Sequence, residues 1–259
     1  MIEQIERDRI KPFTLINDTM QNRKSYNIPK AQLVIADIPY NLGNNAYASN
    51  PSWYIDGDNT KGESKLAGKQ FFDTDKNFNL AEFFHFCSKM VKPEPKGAKE
   101  AGCMIVFCEY EQQFTLIQEA KKHGFMHYIP LQFYKNYSPQ VLKANMKIVG
   151  NTEYALLFYR DKLPKFRNDG RMIFNCMPYE RDTITPKIHP TQKSIILLKN
   201  LIRLFTDEGD VVIDPCAGSG STLLAAEQLK RPSYGFEIKK EFVKDFYNKI
   251  HREVEIDLL

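Results

Sequence analysis

Val211-Val212-Ile213-Asp214-Pro215-Cys216-Ala217-Gly218-Ser219-Gly220-Ser221-Thr222 reads as a short buried strand, a tight glycine turn and the first turn of a helix. That helix is expected to run from Ser221 to Leu229 and to stop at Arg231-Pro232. Gly218 and Gly220 let the backbone turn sharply and let a ligand approach the main chain, and the helix start offers N–H groups to it. Asp214 adds a carboxylate at the strand end. The pattern is that of a nucleotide-type pocket.

Missing residues narrow the nucleotide. A phosphate-cradling loop needs a Lys just before the Ser/Thr, and Gly220 stands there, which argues against ATP or GTP. Thr222 and Leu223 occupy the place of the third glycine of a dinucleotide fingerprint. The glycines alone would suit an ordinary strand-to-helix turn equally well. Ser233 to Ile238 reads as the next strand, and its Glu237 lies seventeen residues after Gly220 (237 − 220), near the usual place of an acid that binds ribose hydroxyls.

Two further stretches point to one family. Asp214 to Thr222 resembles the S-adenosyl-L-methionine motif of amino-methylating DNA methyltransferases, and Asp37-Ile38-Pro39-Tyr40 resembles their catalytic Asp-Pro-Pro-Tyr. His189-Pro190-Thr191-Gln192-Lys193-Ser194 is similar to the His-Pro-Thr-Gln-Lys-Pro segment that precedes the cofactor motif in one subgroup. With the catalytic motif first and the cofactor motif last, the order resembles the β-class. The resemblance implies an α/β, Rossmann-like methyltransferase fold: a doubly wound, mostly parallel sheet in permuted motif order with a small target-recognition insertion. It assigns catalysis to Asp37, Ile38, Pro39 and Tyr40. Cofactor binding falls to Asp18, Asp37, His189, Thr191, Gln192, Lys193, Asp214, Pro215, Cys216, Ala217, Gly218, Ser219, Gly220, Thr222 and Glu237.

Composition agrees without deciding. A chain of 259 residues with 42% hydrophobic content suits a single α/β domain, and a net charge of +4 permits a nucleic-acid partner without arguing for one unaided. The charged start, Met1 to Arg9, is unlike a signal peptide, and no stretch approaches the ~18 apolar residues of a membrane span, so a cytoplasmic protein of a bacterial or phage-infected cell is expected. Five cysteines without a Cys-x-x-Cys pair suggest neither a disulfide framework nor a metal site.

Along the chain, Phe13 to Asn17 is a candidate strand ending at Asp18. After the Glu237 strand and the amphipathic segment 239–254 the chain ends, so the third strand of the nucleotide-binding half is expected from elsewhere, with Phe13 to Asn17 the free candidate. The resemblance then gives Asp18 the adenine contact. Ala31 to Ala36 is a buried strand that delivers Asp37 at its carboxyl end. Pro39 stiffens that turn; Ile38, where the family has proline, keeps the backbone carbonyl. Residues 41–72 are polar and read as an active-site, DNA-facing loop. Further elements are expected at Leu80 to Met90 (helix, capped by Asn79), Cys103 to Cys108 (strand), Glu111 to His123 (helix), and Tyr128 to Lys135 and Glu153 to Tyr159 (strands), with an exposed loop from Lys143 to Gly150. Residues 160–187 carry seven basic residues, Arg160, Lys162, Lys165, Arg167, Arg171, Arg181 and Lys187, among Phe166, Phe174 and Tyr179, a candidate target-recognition region. Thr191 is expected to cap an amphipathic helix through Phe205.

The implied activity is methylation of the N6 amino group of a flipped-out adenine in double-stranded DNA. Cytosine-N4 methylation and a catalytically silent DNA-binding subunit are the alternatives. A homodimer and a cognate restriction endonuclease are family-level expectations.

Overall fold

The computed structural model describes residues 13–39, 78–96, 100–137, 140–143, 148–189 and 192–250. Tyr40, the 41–72 loop, Pro190, Thr191 and both termini lie outside the described residues. In chain order the strands are β1 (Phe13–Ile16), β2 (Leu33–Asp37), β3 (Cys103–Cys108), β4 (His127–Tyr134), β5 (Gln140–Lys143), β6 (Ile148–Gly150), β7 (Thr152–Tyr159), β8 (Cys176–Pro178), β9 (Val212–Asp214) and β10 (Ser233–Phe236). The α-helices are α1 (Leu80–Met90), α2 (Gln113–Lys122), α3 (Ile195–Phe205), α4 (Ser221–Glu227) and α5 (Lys240–Asp245).

Eight strands form one sheet in the order β1-β10-β9-β2-β3-β7-β4-β8. From β1 to β3 every pairing is parallel; β7 runs antiparallel to both its neighbours, and β8 joins the far edge parallel to β4. Phe13–Ile16 pairs with Ser233–Phe236 from the other end of the chain, so the third strand of the nucleotide-binding half is supplied as expected.

Alternation along the strands sorts the core into two layers. Leu33, Ile35, Cys103, Ile105 and Phe107 face α3, α4 and Phe246. Val34, Ala36, Met104, Val106 and Cys108 face the α1 and α2 side, including Phe83, Phe84, Cys87 and Leu116. Strands covered on both faces read as unbroken apolar runs, which is why β2 and β3 were plain in the sequence. Asn79 caps α1 as expected, its side chain accepting from Ala81 and Glu82 N–H.

Three expectations need correction. Helix α3 starts at Ile195 and is capped by Ser194, whose Oγ accepts from Leu197 N–H, so the cap falls three positions after the expected Thr191 (194 − 191), itself outside the described residues. The span from Lys143 to Gly150 is not all loop, because Gln140–Lys143 and Ile148–Gly150 pair as a small antiparallel hairpin outside the main sheet. Helix α4 ends at Glu227, two residues short of Leu229 (229 − 227), as the Lys230 N–H bonds back to Glu227 O.

Gly218 and Gly220 have φ of +51° and +72°, in the left-handed region where a Cβ is strained. A Cβ on Gly220 would also run into the Phe246 ring. Gly209, at φ +83°, has open space around it. Gly220→Ala is therefore expected to lower unfolding free energy by roughly 2–4 kcal/mol, against about 1 kcal/mol for Gly209→Ala, in urea melts. Equal losses would show that the Phe246 contact is not tight.

Candidate functional site

The sheet reverses its winding between β9 and β2, where Leu33 pairs with Val212 and Val34 with Ile213. Ligands bind outside the carboxyl ends of strands at such a switch point. Asp214 ends β9 and Asp37 ends β2, so this register sets both carboxylates on the same rim.

On the β9 side Asp214 is buried and accepts from Cys216 N–H at 3.0 Å and from the Thr222 hydroxyl. Burial pushes its carboxyl up to about 7 against those two bonds, and the neighbouring Asp37 and Glu237 add to the rise. The turn is held by Ala217 N–H to Phe236 O (2.9 Å) and Gly220 N–H to Ala217 O (2.7 Å), and Ser219 and Ser221 share a hydroxyl bond of 2.7 Å. Glu237, just past β10, accepts from Gly218 N–H at 2.9 Å and Lys239 N–H at 2.6 Å, so the acid and the glycine turn are joined directly. Burial raises its carboxyl despite those bonds. His189 lies over the turn: its Nε2 would be 3.5 Å from a Cβ at Gly218, and its ring packs 4.5 Å from that of Phe242. Burial, then Lys239, Lys193 and Lys187, depress the imidazole to about 4, so it is neutral at physiological pH. Asp18 follows β1 beside Glu237, where Asn17 Nδ2 donates to Glu237 O. Its carboxylate accepts from Thr19 N–H (2.7 Å), Asn22 (2.9 Å) and Tyr26 Oη (2.6 Å), which shape the turn after the strand.

On the β2 side Ile38 is buried and anchors the turn, and Gln112 Nε2 donates to Pro39 O at 3.0 Å. Gln112 also accepts from Glu109 N–H, which ties the Asp37 turn to the end of β3. Lys193 Nζ lies 3.1 Å from Asp37 Oδ2 and 2.9 Å from Glu153 Oε2. Glu153 in turn meets Lys135, and Lys135 Nζ sits 4.5 Å above the Tyr179 ring. Burial works against the Glu153 carboxylate, but Lys193 and Lys135 outweigh it and hold it below its usual range.

A sequence profile described as DNA methylase, for the N6/N4 group, matches residues 31–248. The chain belongs to the N6/N4 DNA methylase family. It is 26% identical over 255 residues to the DNA adenine methyltransferase YhdJ of Escherichia coli K12, covering 88% of this chain and 78% of that one. Several other curated relatives are type II methyltransferases. Among solved structures, M1.HpyAVI in complex with S-adenosylmethionine superposes with a TM-score of 0.65 at 22% identity, over 92% of this chain and all of that one. The cytosine-N4-specific PvuII methyltransferase gives the same TM-score at 17% identity, over 97% and 94%.

In this methylase the rim gathers Asp18, Asp37, Ile38, Pro39, His189, Lys193, the Asp214–Thr222 turn and Glu237, while Tyr40 and Thr191 lie outside the described residues. Gln192 folds back on its own segment, donating to Pro186 O and accepting from Ile188 N–H, both at 3.0 Å. Lys193 is engaged with Asp37 and Glu153. In the 160–187 region several of the basic residues serve the fold. Arg160 donates to Ser88 and Lys92 carbonyls, Lys162 to Pro95 O, Lys165 to Asp207 and Asp210, and Arg167 to Asp207 and Glu100. Sequence reasoning missed Gln112, Glu153, Lys135 and Tyr179. Glu153 alone left a trace, a carboxylate one residue into an otherwise apolar strand.

Asp214 supplies a pH test. Its carboxyl titrates from 3.8 unfolded to about 7 folded, so the native state holds the extra proton and stability falls as pH rises through that window. Relative to Asp214→Asn, the wild type should lose up to about 4 kcal/mol between those limits in ligand-free denaturation. Parallel stability curves for the two proteins would count against a neutral Asp214.

Proposed function

We propose that this chain is a site-specific DNA adenine-N6 methyltransferase that takes its methyl group from S-adenosyl-L-methionine and transfers it to an adenine rotated out of the duplex. The observation that carries this reading is the register of β9 with β2, which sets the glycine turn and the Asp37-Ile38-Pro39 turn side by side. The residues around the first turn fit the donor. Gly218 and Gly220 bare the backbone at positive φ, Glu237 stands where ribose hydroxyls need an acceptor, and His189 offers an uncharged ring edge. Bound there, S-adenosyl-L-methionine supplies an electrophilic methyl group on a sulfonium.

The remaining chemistry belongs to the protein. An exocyclic amino nitrogen delocalises its lone pair into the ring and is a weak nucleophile. Asp37 and the Ile38 carbonyl accept its two N–H bonds and draw the nitrogen towards a tetrahedral shape aimed at the methyl group. Gln112, by holding Pro39 O, limits how far that turn can drift. Direct transfer needs no covalent base adduct, and the thiol in the cofactor turn, Cys216, is half-buried and pushed well above its ordinary value. Extruding the base costs a few kcal/mol, part of which stacking on Tyr40 would offset.

Adenine is favoured by Asp37 at the first catalytic position and by the adenine specificity in YhdJ's name. Cytosine-N4 is the second reading, supported by the equal likeness of the PvuII fold. Modification-sensitive sequencing of DNA from a methylation-free host should find N6-methyladenine at one short motif with the wild type and none with Asp37→Ala. Calorimetry should find that Asp37→Ala binds S-adenosyl-L-methionine within about threefold of the wild type, because the acceptor acts in the transition state. Marks on cytosine would move the assignment to the second reading; comparable loss of cofactor binding would take the catalytic role from Asp37.

A further inference from the structure

Four charged side chains of alternating sign run across the carboxyl rim of the sheet: Asp37 at the end of β2, Lys193 before α3, Glu153 on β7 and Lys135 after β4. Lys193 is 8% exposed and lies 5.0 Å from the centre of the Phe107 ring. The backbone N–H of the next residue, Ser194, donates to Tyr179 Oη at 3.1 Å, and Tyr179 is the ring under Lys135. The chain is thus anchored at both lysines, with an ammonium delivered to one oxygen of the carboxylate that the proposed reaction uses.

We propose that Lys193 is a positioning residue for Asp37 and no ligand of the cofactor. The inference rests on the function proposed above. The ammonium fixes the direction of the Asp37 carboxylate through Oδ2 and keeps it charged on a rim shared with Asp214, Glu109 and Glu237. An ammonium given wholly to Asp37 would weaken the carboxylate as an acceptor for the substrate amino group. Glu153 takes a share of that charge at 2.9 Å, and Lys135 balances Glu153 in turn. Removing the lysine and removing Glu153 therefore act on Asp37 in opposite directions. Without Lys193 the carboxylate protonates more readily; without Glu153 it holds its charge more tightly and accepts more weakly.

The groups facing this chain allow that separation. Asp37 is flanked by Lys193, Glu109 and Asp214; Lys193 is flanked by Asp37, Glu153, Glu109 and His189, whose ring is neutral. The test measures steady-state methyl transfer to DNA, its pH profile and S-adenosyl-L-methionine binding by calorimetry for the wild type, Lys193→Met, Lys193→Arg and Glu153→Gln. Lys193→Met should lower kcat on the order of a hundredfold with the cofactor Kd within about threefold, and Lys193→Arg should recover much of the rate. The acid limb of the kcat profile should move to higher pH in Lys193→Met and to lower pH in Glu153→Gln. Should Lys193→Met fail to fold, Lys193→Arg and the shape-preserving Glu153→Gln decide, because the downward shift belongs to Glu153 alone. A weakened cofactor Kd with kcat retained in Lys193→Met, or acid limbs moving the same way in both variants, would overturn the proposal. A wild type that transfers no methyl group to DNA would overturn the functional reading and this inference with it, whereas an active wild type with unaffected variants would sink the inference alone.

Discussion

Two parallel pairings, Leu33 with Val212 and Val34 with Ile213, join parts of the chain 179 residues apart (212 − 33) and create the site. Neither β9, three residues long, nor β2 has any local reason to meet the other; burial on both faces holds them. A one-residue slip would send Ile35 and Ala36 to the wrong layers and carry Asp37 to the other face of the sheet. The core thus enforces the geometry of the rim. Closing so long a loop is entropically costly, and β1, returning to pair with β10, adds a second closure of the same kind. Such a fold depends on its centre forming as a unit.

Charge is handled differently at the two ends of the strands. Away from the rim, Lys165, Arg167, Glu100, Asp207 and Asp210 form a cluster that ties the start of the 160–187 segment to the turn after α3. Arg167, Glu100 and Asp207 are each at least 40% exposed, so salt screens the pairs and each contributes little. At the rim the lysines are buried and the carboxylates half-buried, and desolvation opposes the pairs; replacement of buried ions by apolar side chains often stabilises a protein. A network of that kind on a working surface is better explained by what it does to its members than by its contribution to stability.

Local chemistry made most of the elements readable. Leu80–Met90 with its Asn79 cap and Cys103–Cys108 fall where periodicity puts them, since buried runs and side-chain caps are written in consecutive residues. The glycine turn and Asp37 were legible for the same reason. The helix cap was misplaced because Thr191 and Ser194 are both able caps and only packing chooses between them. The pairings of basic residues in 160–187 are not legible locally, because nothing in their own neighbourhood announces Asp207 or Ser88. Gln112 is invisible as a site residue for the same reason, its partner Pro39 being 73 residues away, and the carboxylate of Glu153 shows in its strand while its partner Lys193 does not.

The two carboxylates at the switch point live in opposite surroundings although one register places both. Asp214 is wrapped by an N–H and a hydroxyl and, among the described residues, is in no ion pair, and burial raises its carboxyl to about 7. Asp37 has an ammonium at 3.1 Å whose own charge is shared with Glu153. Two full negative charges on adjoining strand ends would repel each other and would also compete for a cationic donor. A proton held by Asp214 eases that conflict, and the ammonium of Lys193 lies against Asp37. An acid raised to about 7 can brace the glycine turn, and in the reaction proposed above it is Asp37 that would meet the amino group. This division follows from burial and pairing alone, and it explains why a lysine from the segment before α3 reaches across the rim to β2 instead of turning to the glycine turn.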